Sequence, residues 1–263
     1  MKKRLLHEWH QLVAAVRSLD RQTVFVLTTA MVFVILQYTL GNRRFFRAEL
    51  ASYFADEWRG LLAWGWWFGM QGVTGFVVPA LALLLLFHRR PAEIGLGLGD
   101  WKFAGVLALL YLPLVTLATW VLSDGAAFQA QYPHYQPAAH DWSLFLIYEA
   151  LFLFYWIGWE YLWRGYLLFG TAHTFGLYAI FVQAIPFALL HLQKPLPEAL
   201  LSIVGGIAIG ALVWRCRSFW IAVPIHAAQM FILDFWCTLR IRTGVSGTGP
   251  GALVDLFKAW LGG

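Results

Sequence analysis

Residues 143–170 read SLFLIYEALFLFYWIGWEYLWRGYLLFG, an apolar and aromatic run with an acid, Glu160, and a base, Arg164, in its second half. As a helix rising about 1.5 Å per residue, the run reaches about 42 Å, enough to cross a bilayer with tilt or an interfacial overhang. Glu160 and Arg164 stand one helical turn apart and share a face. A charge among Trp159, Trp163, Leu167 and Leu168 is costly where it meets lipid, so the pair is expected to turn inward, toward partner helices or a wet cavity. It is therefore a candidate functional site. The plainer alternative is a structural ion pair that holds two helices together.

Working outward, composition gives the class. Hydrophobic residues make up 60% of the 263 positions and charged residues 13%, with 15 Trp and 21 Phe, more apolar mass than a soluble surface accommodates. The expected fold is all-α, a polytopic integral membrane helical bundle. The formal charge of +5 does not point to nucleic acid, because Lys and Arg lie between the apolar runs rather than in one basic domain. Cys216 and Cys237 have neither CxxC nor zinc-finger spacing and read as small apolar filler. The glycines of PAEIGLGLGDW lack the preceding strand and following helix of a dinucleotide site.

Residues 1–22 form an amphipathic N-terminal segment, an interfacial helix rather than a signal peptide, since His7, Glu8 and His10 break its apolar stretch. Residues 23–240 are the transmembrane domain, and residues 241–263 a short tail with an amphipathic finish. Crossings are expected over 23–40, 61–87, 103–122, 143–170, 176–192, 198–214 and 219–236. That is seven, with an eighth if the long second run splits or a terminal helix inserts. Gly65, Gly69, Gly72 and Gly75 in that second run allow close packing or a break. Residues 43–60 read as an amphipathic surface segment. The loop over 123–142 is the longest polar connection, and its His134 and His140 are expected to face solvent. If the crossings alternate, Arg89, Arg90, Arg215 and Arg217 fall on the side of the basic amino end, which places the N-terminus in the cytoplasm and the protein in the cell membrane.

The remaining membrane-depth polar groups are His191, four residues after Phe187, and His226, followed by Gln229, Met230 and Asp234. Measured from a plane through the turns near residues 172 and 217, helical rise puts Glu160 about 18 Å deep, His191 about 28 Å and His226 about 13 Å. That spread exceeds one ligand shell unless tilt, a kink at Pro186 or a later end to the first helix narrows it. A carboxylate and two imidazoles suit a divalent metal such as zinc, with Glu160, His191 and His226 as ligands, and equally suit activation of a water for amide hydrolysis. Singly, each histidine is as well explained as a structural hydrogen bonder.

WEYLWRG at 159–165, FALLH at 187–191 and VPIHAAQM at 223–230 resemble the three motifs of the CPBP family of intramembrane proteases, also called the CAAX protease and bacteriocin-processing or Abi family. The resemblance covers about residues 140–240. Glu160 and Arg164 match the second glutamate and the arginine of the first motif, Phe187 and His191 the second motif, and His226 the histidine of the third. Two positions depart: Trp159 stands where the family places its first glutamate, often assigned the water-activating role, and Met230 where it places Asn or Asp.

The resemblance implies an intramembrane endopeptidase acting on a hydrophobic, prenylated or otherwise lipid-modified peptide or protein at the bilayer, without nucleic acid; it sets no oligomeric state. Its catalytic residues would be Glu160, Arg164, His191 and His226. Glu160 would accept a proton from water, the histidines would hold that water and the oxyanion or a metal, and Arg164 would orient Glu160. Gln229 or Asp234 would replace the polar group missing at Met230. The alternatives are a catalytically inactive membrane scaffold or immunity protein that holds a peptide in the old cleft, and a small transporter with an intramembrane ionisable site. A hydrated cavity between the motif residues would go with hydrolysis, and aromatic filling with a scaffold.

Overall fold

Hydrocarbon leaves no water to satisfy the backbone, so a spanning segment must pair its own N–H and C=O groups. The apolar runs accordingly fold as helices in the computed structural model, which describes residues 1–262. In chain order they are α1 (Lys2–Ser18), α2 (Arg21–Thr39), α3 (Arg43–Phe45), α4 (Asp56–Gly72), α5 (Val78–Leu81), α6 (Trp101–Leu122), α7 (Ala126–Gln131), α8 (Trp142–Glu160), α9 (Leu168–Phe175), α10 (Ala179–Leu189), α11 (Leu196–Cys216), α12 (Ala222–Thr243) and α13 (Pro250–Gly262). π-helical turns join α4 to α5 over Val73–Val77 and α8 to α9 over Tyr161–Leu167.

Six continuous helical runs among the described residues are long and apolar enough to cross a membrane: Arg21–Tyr53, Asp56–Leu86, Trp101–Leu122, Trp142–Leu189, Leu196–Cys216 and Phe219–Thr243. The structure thus offers six candidate crossings and does not confirm seven or eight. The run of 48 residues from Trp142 doubles back at Gly176, whose φ of +52° is open to glycine, and its return arm α10 has 11 residues. Those rise about 17 Å, too little to span a core of about 30 Å alone. The second run does not split, and α13, with 13 residues, is also too short.

Around α8 the bundle closes: α8 packs on α4 and α12, α10 on α11, and α6 on α12. One end is defined by contacts between distant turns. His173 Nε2 lies 2.7 Å from Asp20 Oδ2, Arg89 Nε donates to Gln22 Oε1 at 2.6 Å, and Gln22 Nε2 donates to the Gly170 carbonyl at 2.7 Å. Asp100 N bonds the Cys216 carbonyl, and Phe219 N that of Gly95. The turns near 172 and 217 thus share one end of the molecule.

At the opposite end Arg240, fully buried, staples the segment after α12 to the end of α6. Its guanidinium makes five hydrogen bonds, to Ser123 Oγ, Asp124 Oδ1 and the carbonyls of Trp120, Val245 and Gly247, and lies over the Trp120 ring at 3.9 Å. Arg240→Leu is expected to cost about 3–5 kcal/mol, because the Val245 and Gly247 carbonyls lose this donor and Asp124 is left with the Gly247 N–H alone. Arg240→Lys should restore only part, since an ammonium cannot fork in this way. Thermal unfolding in detergent, with protease access to residues 244–249, checks both.

His134 does not face solvent. It stacks between Trp64 and Tyr132, donates from Nδ1 to the Gln131 carbonyl, and accepts from Lys194 Nζ at Nε2 (2.9 Å). Burial, with the charge of Lys194 beside it, pushes this imidazole well below its ordinary range. Lys194 in turn donates to Tyr132 Oη, which donates to Glu198. This network ties the long loop to the chain between α10 and α11.

Candidate functional site

Glu160 is the last residue of α8, and the helix continues beyond it as the π-helical turn Tyr161–Leu167 that carries Arg164. Single π-turns within α-helices recur at functional sites. The approach of a neighbouring helix two residues earlier fixes where Glu160 stands. A Cβ at Gly158 would lie 2.0 Å from the Gln71 carbonyl oxygen, and one at Gly75 would lie 2.3 Å from that of Gly158. Backbones touch here, and only glycine permits it. Gly158→Ala is therefore expected to lose about 1–3 kcal/mol and to displace Glu160. Gly69→Ala, where an added Cβ meets nothing within 4 Å, should be neutral or slightly stabilising. Parallel melting curves of the two variants test this.

The three motif segments meet as follows. Glu160 Oε1 accepts from His226 Nδ1 at 2.6 Å and from Arg164 Nη1 at 3.2 Å; both members of the Glu160–Arg164 pair are fully buried. Glu160 Oε2, Arg164 Nε and Nη2, and Trp159 Nε1 are buried with no protein partner. The Arg164 guanidinium lies over the Phe187 ring at 4.0 Å, so the second motif's phenylalanine is a cation–π partner of the first motif's arginine. His191 occupies the turn after α10 and donates from Nδ1 to the Phe187 carbonyl at 2.7 Å. Burial pulls it down to about 4, so it is neutral.

A carboxylate and a carbonyl only accept, so Nδ1 carries a proton in both His226 and His191, and in neutral His191 Nε2 is left as an acceptor. The neutral His191 ring is then not a donor to an oxyanion. The buried unpartnered donors of this stretch are the N–H groups of Arg164, Trp159 and Trp163 and the Tyr161 hydroxyl.

Aromatic rings surround the group. Trp156 stacks at 4.3 Å from the His226 ring, Phe187 lies 4.6 Å from His191 and 6.3 Å from His226, and Trp159 lies 5.6 Å from Phe187 and 6.0 Å from His191. His226 and Arg164 each bond Glu160 Oε1 directly, whereas His191 reaches the group through Phe187 and Trp159. The depth spread expected from helical rise therefore collapses for Glu160 and His226. For His191 the reason is plain: the chain reverses at Gly176, α10 is short, and the histidine lies past the helix.

Two expected substitutes stand elsewhere. Gln229 accepts from Tyr111 Oη at 2.6 Å, toward α6, and Asp234 lies within hydrogen-bonding reach of Glu149 on α8. Neither completes the group at Glu160, and Met230 fills its own position as a buried side chain. Phe187 and Trp156 are the contributors that sequence reasoning left without a role; their helical spacing from His191 and Glu160 was the available signal.

Glu160 Oε1 is shared by an imidazole N–H and a guanidinium, so a divalent metal on Glu160, His191 and His226 would be held through the unpartnered Oε2 and through imidazole Nε2. No three His, Cys, Asp or Glu side chains among the described residues stand at metal-binding spacing.

Residues 141–232 match the family model described as type II CAAX prenyl endopeptidase Rce1-like. The match spans about a third of the chain and contains Glu160, Arg164, Phe187, His191 and His226. No curated protein and no solved structure matches the chain. This stretch is a CAAX-protease-like domain within an all-helical, membrane-embedded protein related to that superfamily.

Proposed function

We propose that the protein is an intramembrane endopeptidase that hydrolyses a peptide bond in a hydrophobic or lipid-modified membrane protein. The observation that carries this is the half-made ion pair. A buried Arg–Glu pair kept for cohesion alone gains from a bidentate fork with every remaining group satisfied. Here one N–H meets one oxygen, and Oε2 with two further guanidinium nitrogens is left buried and unpaired. Each such group costs on the order of 1–3 kcal/mol, a cost that chemistry at the site explains and packing does not.

In this reading a water donates to Glu160 Oε2 and attacks the carbonyl carbon of the scissile bond, its proton passing to Oε2. The C=O bond becomes an oxyanion held by N–H groups of Arg164 and Trp159. Collapse re-forms the carbonyl and breaks the C–N bond as Glu160 returns the proton to the leaving amine. His226 holds Oε1 in place, and Nε2 of His191 accepts from water. Arg17, Arg21, Arg89, Arg90, Arg215 and Arg217 gather toward the end that carries Asp20 and His173, which supports a cytoplasmic N-terminus by the positive-inside rule.

A second reading, a scaffold that holds a peptide without cutting it, is favoured by Trp159 at the first glutamate's position and by the rings packed around Glu160 where a peptide would have to lie. A cleavage screen of reconstituted protein over prenylated and unmodified membrane peptides, with Glu160→Gln as control, separates the two. Cleavage by wild type alone supports the endopeptidase, and none by folded wild type leaves the scaffold.

A further inference from the structure

The helix α1 packs on nothing: none of its residues is buried. Leu5, Trp9, Leu12 and Val16 recur at i, i+4, i+7 and i+11 and so share one face, with Leu6 and Val13 at its edge. Leu5, Trp9, Leu12 and Val16 are each more than half exposed. An unpartnered apolar stripe of this length, carrying a tryptophan, has to be covered by something.

Three observations select the cover. Lys2, Lys3, Arg4 and Arg17 face a single acid, Glu8, so the helix is strongly basic. Its last residue, Ser18, is three positions from Arg21, the first residue of the candidate span α2, and the turn between them is held by Asp20 accepting from Thr23 N and contacting His173. This fixes α1 at a bilayer boundary. At the same end stand Arg89, which bonds Gln22, and Arg215 and Arg217 at the end of α11. The whole end presents positive charge to whatever lies in its plane.

We propose that α1 is a surface-lying helix that sinks the Leu5–Trp9–Leu12–Val16 stripe into the acyl boundary and sets its basic residues against an anionic phospholipid leaflet. A basic, strongly amphipathic helix with a tryptophan on its apolar face takes this position, and each Lys or Arg near an anionic surface adds about 1 kcal/mol of attraction, screened by salt. The occupant is thus the anionic lipid surface, not a second copy of the chain, whose own α1 would bring like charge to like charge.

The test uses the full chain reconstituted in phosphatidylcholine bilayers with and without phosphatidylglycerol. Nitroxide labels are placed by Trp9→Cys on the apolar face or Ala14→Cys on the polar face; Cys216 and Cys237 are buried and are checked by labelling the unsubstituted chain. With phosphatidylglycerol, position 9 should favour oxygen over a water-soluble nickel chelate as collider and position 14 the reverse. Replacing Lys2, Lys3 and Arg4 by Gln should lower the inserted-to-free ratio on the order of ten- to a hundred-fold. Water exposure of position 9 in both bilayers, insertion that ignores phosphatidylglycerol, or spin–spin broadening between copies would each overturn the proposal.

Discussion

Glu160→Gln is expected to lower peptide cleavage by about 10²–10⁴-fold, because the amide keeps the shape of the side chain and an acceptor for His226 but has no basic oxygen. Folding should survive, since the amide oxygen still accepts from His226 Nδ1 and Arg164 Nη1 in the places Oε1 now holds. Trp159→Phe is the companion variant. It retains the stack on Tyr155 and the contact with Phe187 but removes the unpartnered indole N–H. If that N–H serves the oxyanion, kcat falls on the order of 10²-fold with KM little changed. An unchanged rate would assign Trp159 to packing alone. Trp159→Glu asks the reverse question: cleavage that appears only in this variant would mean a protease scaffold that has lost its first carboxylate. No cleavage by folded wild type or by Trp159→Glu would end the hydrolase assignment.

How far the sequence carried these residues differs from one to the next. The crossings were legible because a lipid-facing helix has to be apolar over a whole span, and their approximate positions hold for α2, α6, α8, α11 and α12. The glycines of the second run were legible for a related reason: Gly75 meets the backbone beside Gly158, as close packing requires. The number of crossings was not, because 176–192 is apolar enough for a span while its helical part is only α10, ended by the turn that carries His191. Hydropathy measures what a segment tolerates and says nothing about where its backbone bends.

At the site, spacing placed Glu160 and Arg164 on one face, and the structure joins them by a hydrogen bond. The meeting of Glu160 with His226 was weighed from their shared place in an otherwise uncharged interior and strengthened by the resemblance, although helical rise spread the three polar groups over different depths. The aromatic contacts across helices escaped. Phe187 beneath Arg164, Trp156 against His226 and His134 between Trp64 and Tyr132 depend on side-chain direction and helix crossing, and apolar or aromatic identity alone leaves their partners open. His134 shows the error most clearly: a polar residue in a polar loop is still half-buried when that loop folds over the bundle.

The second large effect belongs to Arg164. Its replacement by Leu removes the cation beside Glu160 Oε1 and the guanidinium over Phe187, while the fully buried carboxyl keeps only His226. Breaking one side of a buried pair costs about 3–5 kcal/mol, more than the pair is worth against an apolar replacement of both partners, because the remaining group is stranded. Arg164→Leu should therefore melt well below wild type in detergent and lose cleavage. Arg164→Leu combined with Glu160→Leu should recover a measurable part of the stability, though none of the activity, and the double-mutant cycle gives the coupling directly. Arg164→Lys keeps the charge but not the planar face that lies on Phe187 or the free N–H groups, so partial stability with strongly reduced cleavage is expected. If Arg164→Leu melted and cleaved as wild type does, the pair would hold neither the helices nor the reacting carboxylate, and the half-made salt bridge could no longer be read as the centre of the site.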